Sequence, residues 1–124
     1  MAKRILIVDE AEEATKLYKK ALEGAGFEVK VVKDAPSAKA ALESEHFDGA
    51  LIDIRLPGTM SGFELLGQIR ANEKTQGLPV IILSGFADQE ELRTKCTALG
   101  AECVAKGNIS LAELAEKVKH SVNL

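Results

Sequence analysis

The chain has 124 residues, 46% of them apolar and 28% charged, and its formal net charge is −3. That length makes one domain, 1–124, large enough to bury a core without disulfides or a structural metal. The composition excludes a disordered chain, and the acidic balance leaves no basic footprint for direct nucleic acid binding by this domain.

Short apolar runs alternate with amphipathic stretches, the pattern of repeated βα units. Strand 1 is expected over 4–8, where Ile5-Leu6-Ile7-Val8 runs into Asp9-Glu10. A helix over about 11–24 carries Leu17, Tyr18, Ala21 and Leu22 at helical spacing, and Gly24 and Gly26 end it. Strand 2 is Glu28–Val32, where Val29 and Val31 alternate with charged residues, as at a sheet edge. Helix 2 starts near Ala35 with Pro36 in its first turn and turns Ala38, Ala41 and Leu42 inward. Strand 3, about Gly49–Asp53, leads into a loop, 54–61, that contains Pro57 and Gly58. Helix 3 follows with Ser61 as its cap and with Phe63, Leu66 and Ile69 on one face. Strand 4, Val80–Leu83, ends at Ser84. Helix 4 is expected over about Asp88–Leu99, with Asp88 as N-cap and Glu91 completing a capping box; Gly100 stops it. Strand 5, about Glu102–Ala105, ends at Lys106. Helix 5 covers about Ser110–Ser121, with Ser110 and Glu113 spaced for a second capping box.

Strands 1 and 4 are continuously apolar, as when helices cover both faces of a parallel sheet. The expected architecture is therefore α/β: a (βα)5 doubly wound, five-stranded parallel sheet of flavodoxin-like type. Its strand order is 2-1-3-4-5 and its crevice lies between strands 1 and 3.

In such a sheet the carboxyl ends of the strands share one edge, where ligands bind. Asp9, Glu10, Asp53, Ser84 and Lys106 would meet there. Three crowded carboxylates repel unless paired, and Mg2+ suits them because it takes oxygen ligands and is held by a few carboxylates plus phosphate oxygens. Lys106 supplies a fixed positive charge and Ser84 a hydroxyl donor. A carboxylate can act as a nucleophile toward phosphorus, and Asp53, single at a central strand end, is the better candidate. Asp9 and Glu10, being paired, suit the metal. Solvated strand-end acids or helix caps are the plain alternative.

No apolar run approaches the roughly 20 residues of a membrane helix. Lys3-Arg4 before a short apolar run and an acidic pair do not make a signal peptide. Cys96 and Cys103 form no C-x-x-C motif and read as free thiols of a cytoplasmic protein, with a disulfide as the alternative. His46 and His120 read as surface residues.

The marks now assembled are Ile-Val-Asp-Glu at 7–10, Asp53 followed by Leu56-Pro57-Gly58 and Ser61-Gly62, Ser84-Gly85 and Lys106. In this order and spacing the whole chain resembles the receiver domain of two-component response regulators, of the chemotaxis-regulator-like kind. The resemblance implies that Asp53 accepts a phosphoryl group from a histidine kinase or histidine phosphotransfer protein. It implies that Asp9, Glu10, Asp53 and the backbone carbonyl of Arg55 bind Mg2+. Ser84 and Lys106 would contact the phosphoryl group and report it to the surface around helix 4, strand 5 and helix 5, for a downstream protein or output domain. Such a protein catalyses only its own phosphorylation and dephosphorylation, and is a monomer or weak dimer. Phe86, two residues beyond Ser84, would shield the acyl phosphate from water.

Four positions depart from the family pattern. Glu10 replaces an aspartate. Gly62 lies five residues after Pro57 rather than four. Gly107 follows the lysine in place of a proline in a cis peptide. Cys103 stands where the family has its switch aromatic. The departures at Glu10, Cys103 and Gly107 support a rival reading, a pseudo-receiver that binds proteins without phosphorylation. A small enzyme on this fold is a third reading. An aspartate-nucleophile phosphatase would want a second aspartate where Arg55 stands, and a flavin carrier would want a glycine- and hydroxyl-rich loop where Ala11–Ala14 is acidic.

Overall fold

A computed structural model describes residues 2–85 and 90–123. Five parallel strands run in the order β2-β1-β3-β4-β5. They are β1 (Arg4–Val8), β2 (Glu28–Val32), β3 (Gly49–Asp53), β4 (Val80–Ser84) and β5 (Glu102–Ala105). The helices are α1 (Glu12–Gly24), α2 (Ala35–Ser44), α3 (Gly62–Ala71), α4 (Glu90–Ala98) and α5 (Leu111–Ser121), with a single 3-10 turn at Lys106–Asn108. The strand limits and their order follow the sequence expectation, and β2 is an edge. The expected start of helix 4, with Asp88 as its cap, lies outside the described residues, as does Phe86.

Alternation along each strand divides the core in two. Leu6, Val8, Ile52 and Ile82 face one way, onto Ala38 and Leu42 of α2, Leu65, Leu66 and Ile69 of α3 and Cys96 of α4. Ile5, Ile7, Leu51, Ile81 and Leu83 face the other way, onto Leu22 of α1 and Leu114, Ala115 and Val118 of α5. A central strand covered on both faces has no solvent side to keep polar, which is why β1 and β4 read as unbroken apolar runs.

Helix ends follow local chemistry. Asp34 caps α2 by accepting from the Ser37 amide at 2.8 Å, with Pro36 in the first turn. Ser61–Glu64 and Ser110–Glu113 both form reciprocal capping boxes. Gly26 at φ +97° and Gly100 at φ +69° take the left-handed conformation that ends α1 and α4. One expectation fails on α1: Leu17 is 54% exposed. The inward stripe is Tyr18, Leu22 and Ala25, with Thr15 buried. Leu17 sits a residue off that stripe, roughly 100° around the helix.

Candidate functional site

The strand registers dictate what meets at the carboxyl edge. Val8 pairs with Ile52, so Asp9 and Asp53 emerge side by side from β1 and β3. Asp53 pairs with Leu83, which brings Ser84 alongside, and Ser84 pairs with Ala105, so Lys106 follows immediately. Four residues far apart in sequence are thereby gathered by backbone ladders alone.

Lys106 holds the centre. Its Nζ lies 3.1 Å from Asp9 Oδ2 and 3.2 Å from Asp53 Oδ2. Asp9 is 1% exposed, and its Oδ1 accepts from the Ala11 amide at 2.9 Å. Asp53 Oδ1 accepts from the Arg55 amide at 3.2 Å, which fixes the carboxylate plane and places the Arg55 backbone beside it. Ser84 is buried at the end of β4.

Burial, and then the like charge of Asp9, push the Asp53 carboxyl above its ordinary value, against the opposing pull of the Arg55 amide and Lys106. For Lys106 burial works against the charge. The hydrogen bond to Asp9 and the attraction of both carboxylates outweigh it, and the ammonium is held above its ordinary value. Tyr18 joins this field from α1: burial raises its phenol, Lys106 opposes, and Asp9 and Asp53 add to the rise. Sequence reasoning read Tyr18 only as part of a helix face. Its signal was position, two turns into the helix that follows Asp9.

The sequence expectation gathers three acids at this edge. Asp9 and Asp53 meet on Lys106, whereas Glu10 is exposed, and among the described residues no three metal-ligating side chains form a group. Glu10 follows Asp9 just beyond the end of β1. The remaining donors are all oxygens: two crowded carboxylates, one of them with its pKa raised, and the adjacent Arg55 backbone. That set fits Mg2+, which is typically held by one or two carboxylates and retains several waters.

The loop after Asp53 returns α3 onto the end of β3. Pro57 precedes Gly58, which lies at φ +91°, and Gly62 donates to the Ile54 carbonyl at 2.9 Å. A Cβ on Gly62 would fall 2.0 Å from the Asp53 carbonyl oxygen, so the start of α3 packs directly on the backbone of the residue at issue. His46 is exposed, its Nε2 3.2 Å from Asp48 and away from this edge. Cys96 and Cys103 are both free.

A five-stranded parallel sheet in this order, with two acids and a lysine converging at its carboxyl edge, defines a receiver-type α/β protein. Residues 5–119 match the response regulator receiver domain family, and the chain belongs to it. It is 30% identical over 122 residues to the polar-differentiation response regulator DivK of Brucella ovis, covering 96% of this chain and 95% of that protein. It is 32% identical over 119 residues to the phosphate regulon transcriptional regulatory protein PhoB of Rhizobium meliloti, covering 96% of this chain and 52% of PhoB. The chain thus spans about half the length of the first curated relatives it matches. Among solved structures, a CheY-like receiver domain protein from Methanospirillum hungatei superposes with a TM-score of 0.86 at 33% identity, covering 99% of this chain and 95% of that one. The receiver domain of a sensor histidine kinase from Pseudomonas aeruginosa, with a magnesium ion coordinated in its active site cleft, superposes with a TM-score of 0.86 at 27% identity, covering both chains fully. No helix among the described residues is long and apolar enough to cross a membrane.

Proposed function

We propose that this receiver domain accepts a phosphoryl group on Asp53 from a phosphohistidine donor, a histidine kinase or a histidine phosphotransfer protein, and thereby switches its protein contacts. The observation that carries the reading is the shared ammonium: Lys106 bridges Asp9 and Asp53 at 3.1 and 3.2 Å. In the transfer an Asp53 carboxylate oxygen bonds to phosphorus as the P–N bond to the donor imidazole breaks, and the imidazole nitrogen keeps that electron pair and takes up a proton. Lys106 then exchanges its contact with Asp53 for one to a phosphoryl oxygen. Ser84, one strand over from Asp53, donates its hydroxyl to another. Asp9, Glu10, Asp53 and the Arg55 backbone carbonyl would hold Mg2+. The ion supplies positive charge where negative charge builds up on the moving group. The domain is a signalling module, acting on no substrate beyond its own Asp53.

The rival reading, a pseudo-receiver, draws on one observation: Glu10, the second acid of the pair, is exposed. One experiment separates the two. The chain is incubated with acetyl phosphate and Mg2+ and read by intact mass. Gain of one phosphoryl group, lost in Asp53→Asn and on chelation of the metal, is the expected result. An unchanged mass under acetyl phosphate and under phosphohistidine donors alike refutes phosphoryl acceptance and leaves the pseudo-receiver.

A further inference from the structure

Two thiols left unused by the site share one cluster where α4 packs on β5. Cys96, in the last turns of α4, is wholly buried, and Cys103 packs against the same cluster from β5. The backbone brings them together. The Cys96 carbonyl accepts from the Leu99 amide at 3.0 Å and from the Ala101 amide at 2.9 Å, so the chain doubles back onto Cys96 as β5 begins. Ala101 is buried in this cluster. Cys103, two residues further along an extended chain, lies on the same face as Ala101. Val104 faces the opposite cluster. The two thiols interact side chain to side chain.

We propose that Cys96 and Cys103 are a redox-active pair that closes to a reversible disulfide under peroxide, bolting α4 to β5. The inference stands apart from the phosphoryl reading, since it concerns neither Asp53 nor its donors.

The two cysteines have unequal roles. Cys103 is partly exposed and lines a groove of about 370 Å³ with Arg93 and Thr97. Burial holds its thiol above the ordinary value, against the opposing pull of Arg93 and of Cys96. Burial pushes Cys96 up to about 11. Cys103, the more exposed of the two, is the thiol that meets the oxidant, and Cys96 resolves the product. The Cys103 thiolate attacks one peroxide oxygen, the O–O bond breaks, and hydroxide leaves to become water. Cys103 is now a sulfenic acid. The Cys96 sulfur attacks the Cys103 sulfur, the S–S bond forms, and the sulfenic hydroxyl departs as water with the Cys96 proton. Two thiols lose two electrons, and one peroxide becomes two waters. A dithiol reductant reverses the bond by exchange.

The test uses the folded chain treated with hydrogen peroxide, followed by alkylation of the remaining thiols. Trypsin cleaves after Lys95 and Lys106, so residues 96–106 carry both cysteines in a single peptide. The expected product is that peptide lighter by two hydrogens and unalkylated, restored by dithiothreitol. Neither Cys96→Ser nor Cys103→Ser forms it. In the oxidised protein, amide exchange in α4 slows. Three results would overturn the proposal: alkylation of both thiols after peroxide, irreversible gain of two oxygens on Cys103 with Cys96 still free, or a disulfide that joins two chains instead of closing within one.

Discussion

Replacing Lys106 by Met tests the electrostatic core of the site. The substitution keeps the aliphatic stem and removes the ammonium shared by Asp9 and Asp53. At 3.1 and 3.2 Å each attraction is about 5 kcal/mol at an effective dielectric near 20. Desolvation offsets much of that, and removing one partner of a buried pair typically leaves a loss of about 3–5 kcal/mol. The Lys106 side chain is 26% exposed, so water screens part of the interaction. The expected loss is therefore at the low end, about 3 kcal/mol. Urea unfolding at pH 7 measures it. The pH dependence carries a sign. A carboxyl raised in the native state, as Asp53 is, binds its proton more readily folded than unfolded. Its contribution to stability is present at low pH and is lost as pH rises through the native value. Without Lys106 that native value climbs further, so the deficit of the variant shrinks on acidification from pH 7 toward the ordinary carboxylate range. Added Mg2+ narrows the deficit at pH 7 as well. A variant within about 1 kcal/mol of the parent at pH 7 would refute the reasoning, as would a deficit that does not shrink in acid.

Three further substitutions probe the scaffold. Gly62→Ala forces a Cβ to 2.0 Å from the Asp53 carbonyl oxygen; unfolding should show a loss of about 3 kcal/mol or more, with displaced amide resonances at Asp53. The Arg70 guanidinium donates to the carbonyls of Leu99, Leu78, Gln76 and Gly100 at 2.5, 2.6, 3.1 and 3.3 Å. Arg70→Met orphans these carbonyls and should cost about 2–3 kcal/mol in a denaturant titration, with faster amide exchange at the α4–β5 turn. Leu17→Gln, on the exposed side of α1, should leave the urea midpoint within about 0.5 kcal/mol of the parent; a larger loss would mean Leu17 is covered.

The strands were legible because their apolar runs are short and sharply bounded: Gly49 opens β3 and Asp53 closes it, and Pro79 precedes β4 as Ser84 ends it. Parallel pairing then fixes the neighbours of Asp53, which is why Asp9, Ser84 and Lys106 could be assigned before any coordinates. What depends on rotation about an axis was not legible. Leu17 has the right residue type and nearly the right spacing, yet the stripe through Tyr18 and Leu22 leaves it in water. Long-range contacts outside the ladders were invisible too. Nothing in the sequence around Arg70 announces that it reaches two separate turns. Nothing in the spacing of Cys96 and Cys103 shows that a helix end folds back to bring both into one cluster.

The Lys3 ammonium donates to the Val122 carbonyl at 2.6 Å, and Val122 crowds Gly49, the first residue of β3. The tail of α5 is thereby moored at the amino ends of the strands, while Asp53 sits at their carboxyl ends. A five-residue strand separates the two by roughly 13–16 Å. That distance exceeds the reach of any one side chain. A change of charge on Asp53 is felt at Val122 only as a mechanical shift relayed through the sheet and the helices leaning on it, so the stiffness of that frame limits how faithfully the far end can register events at the near one.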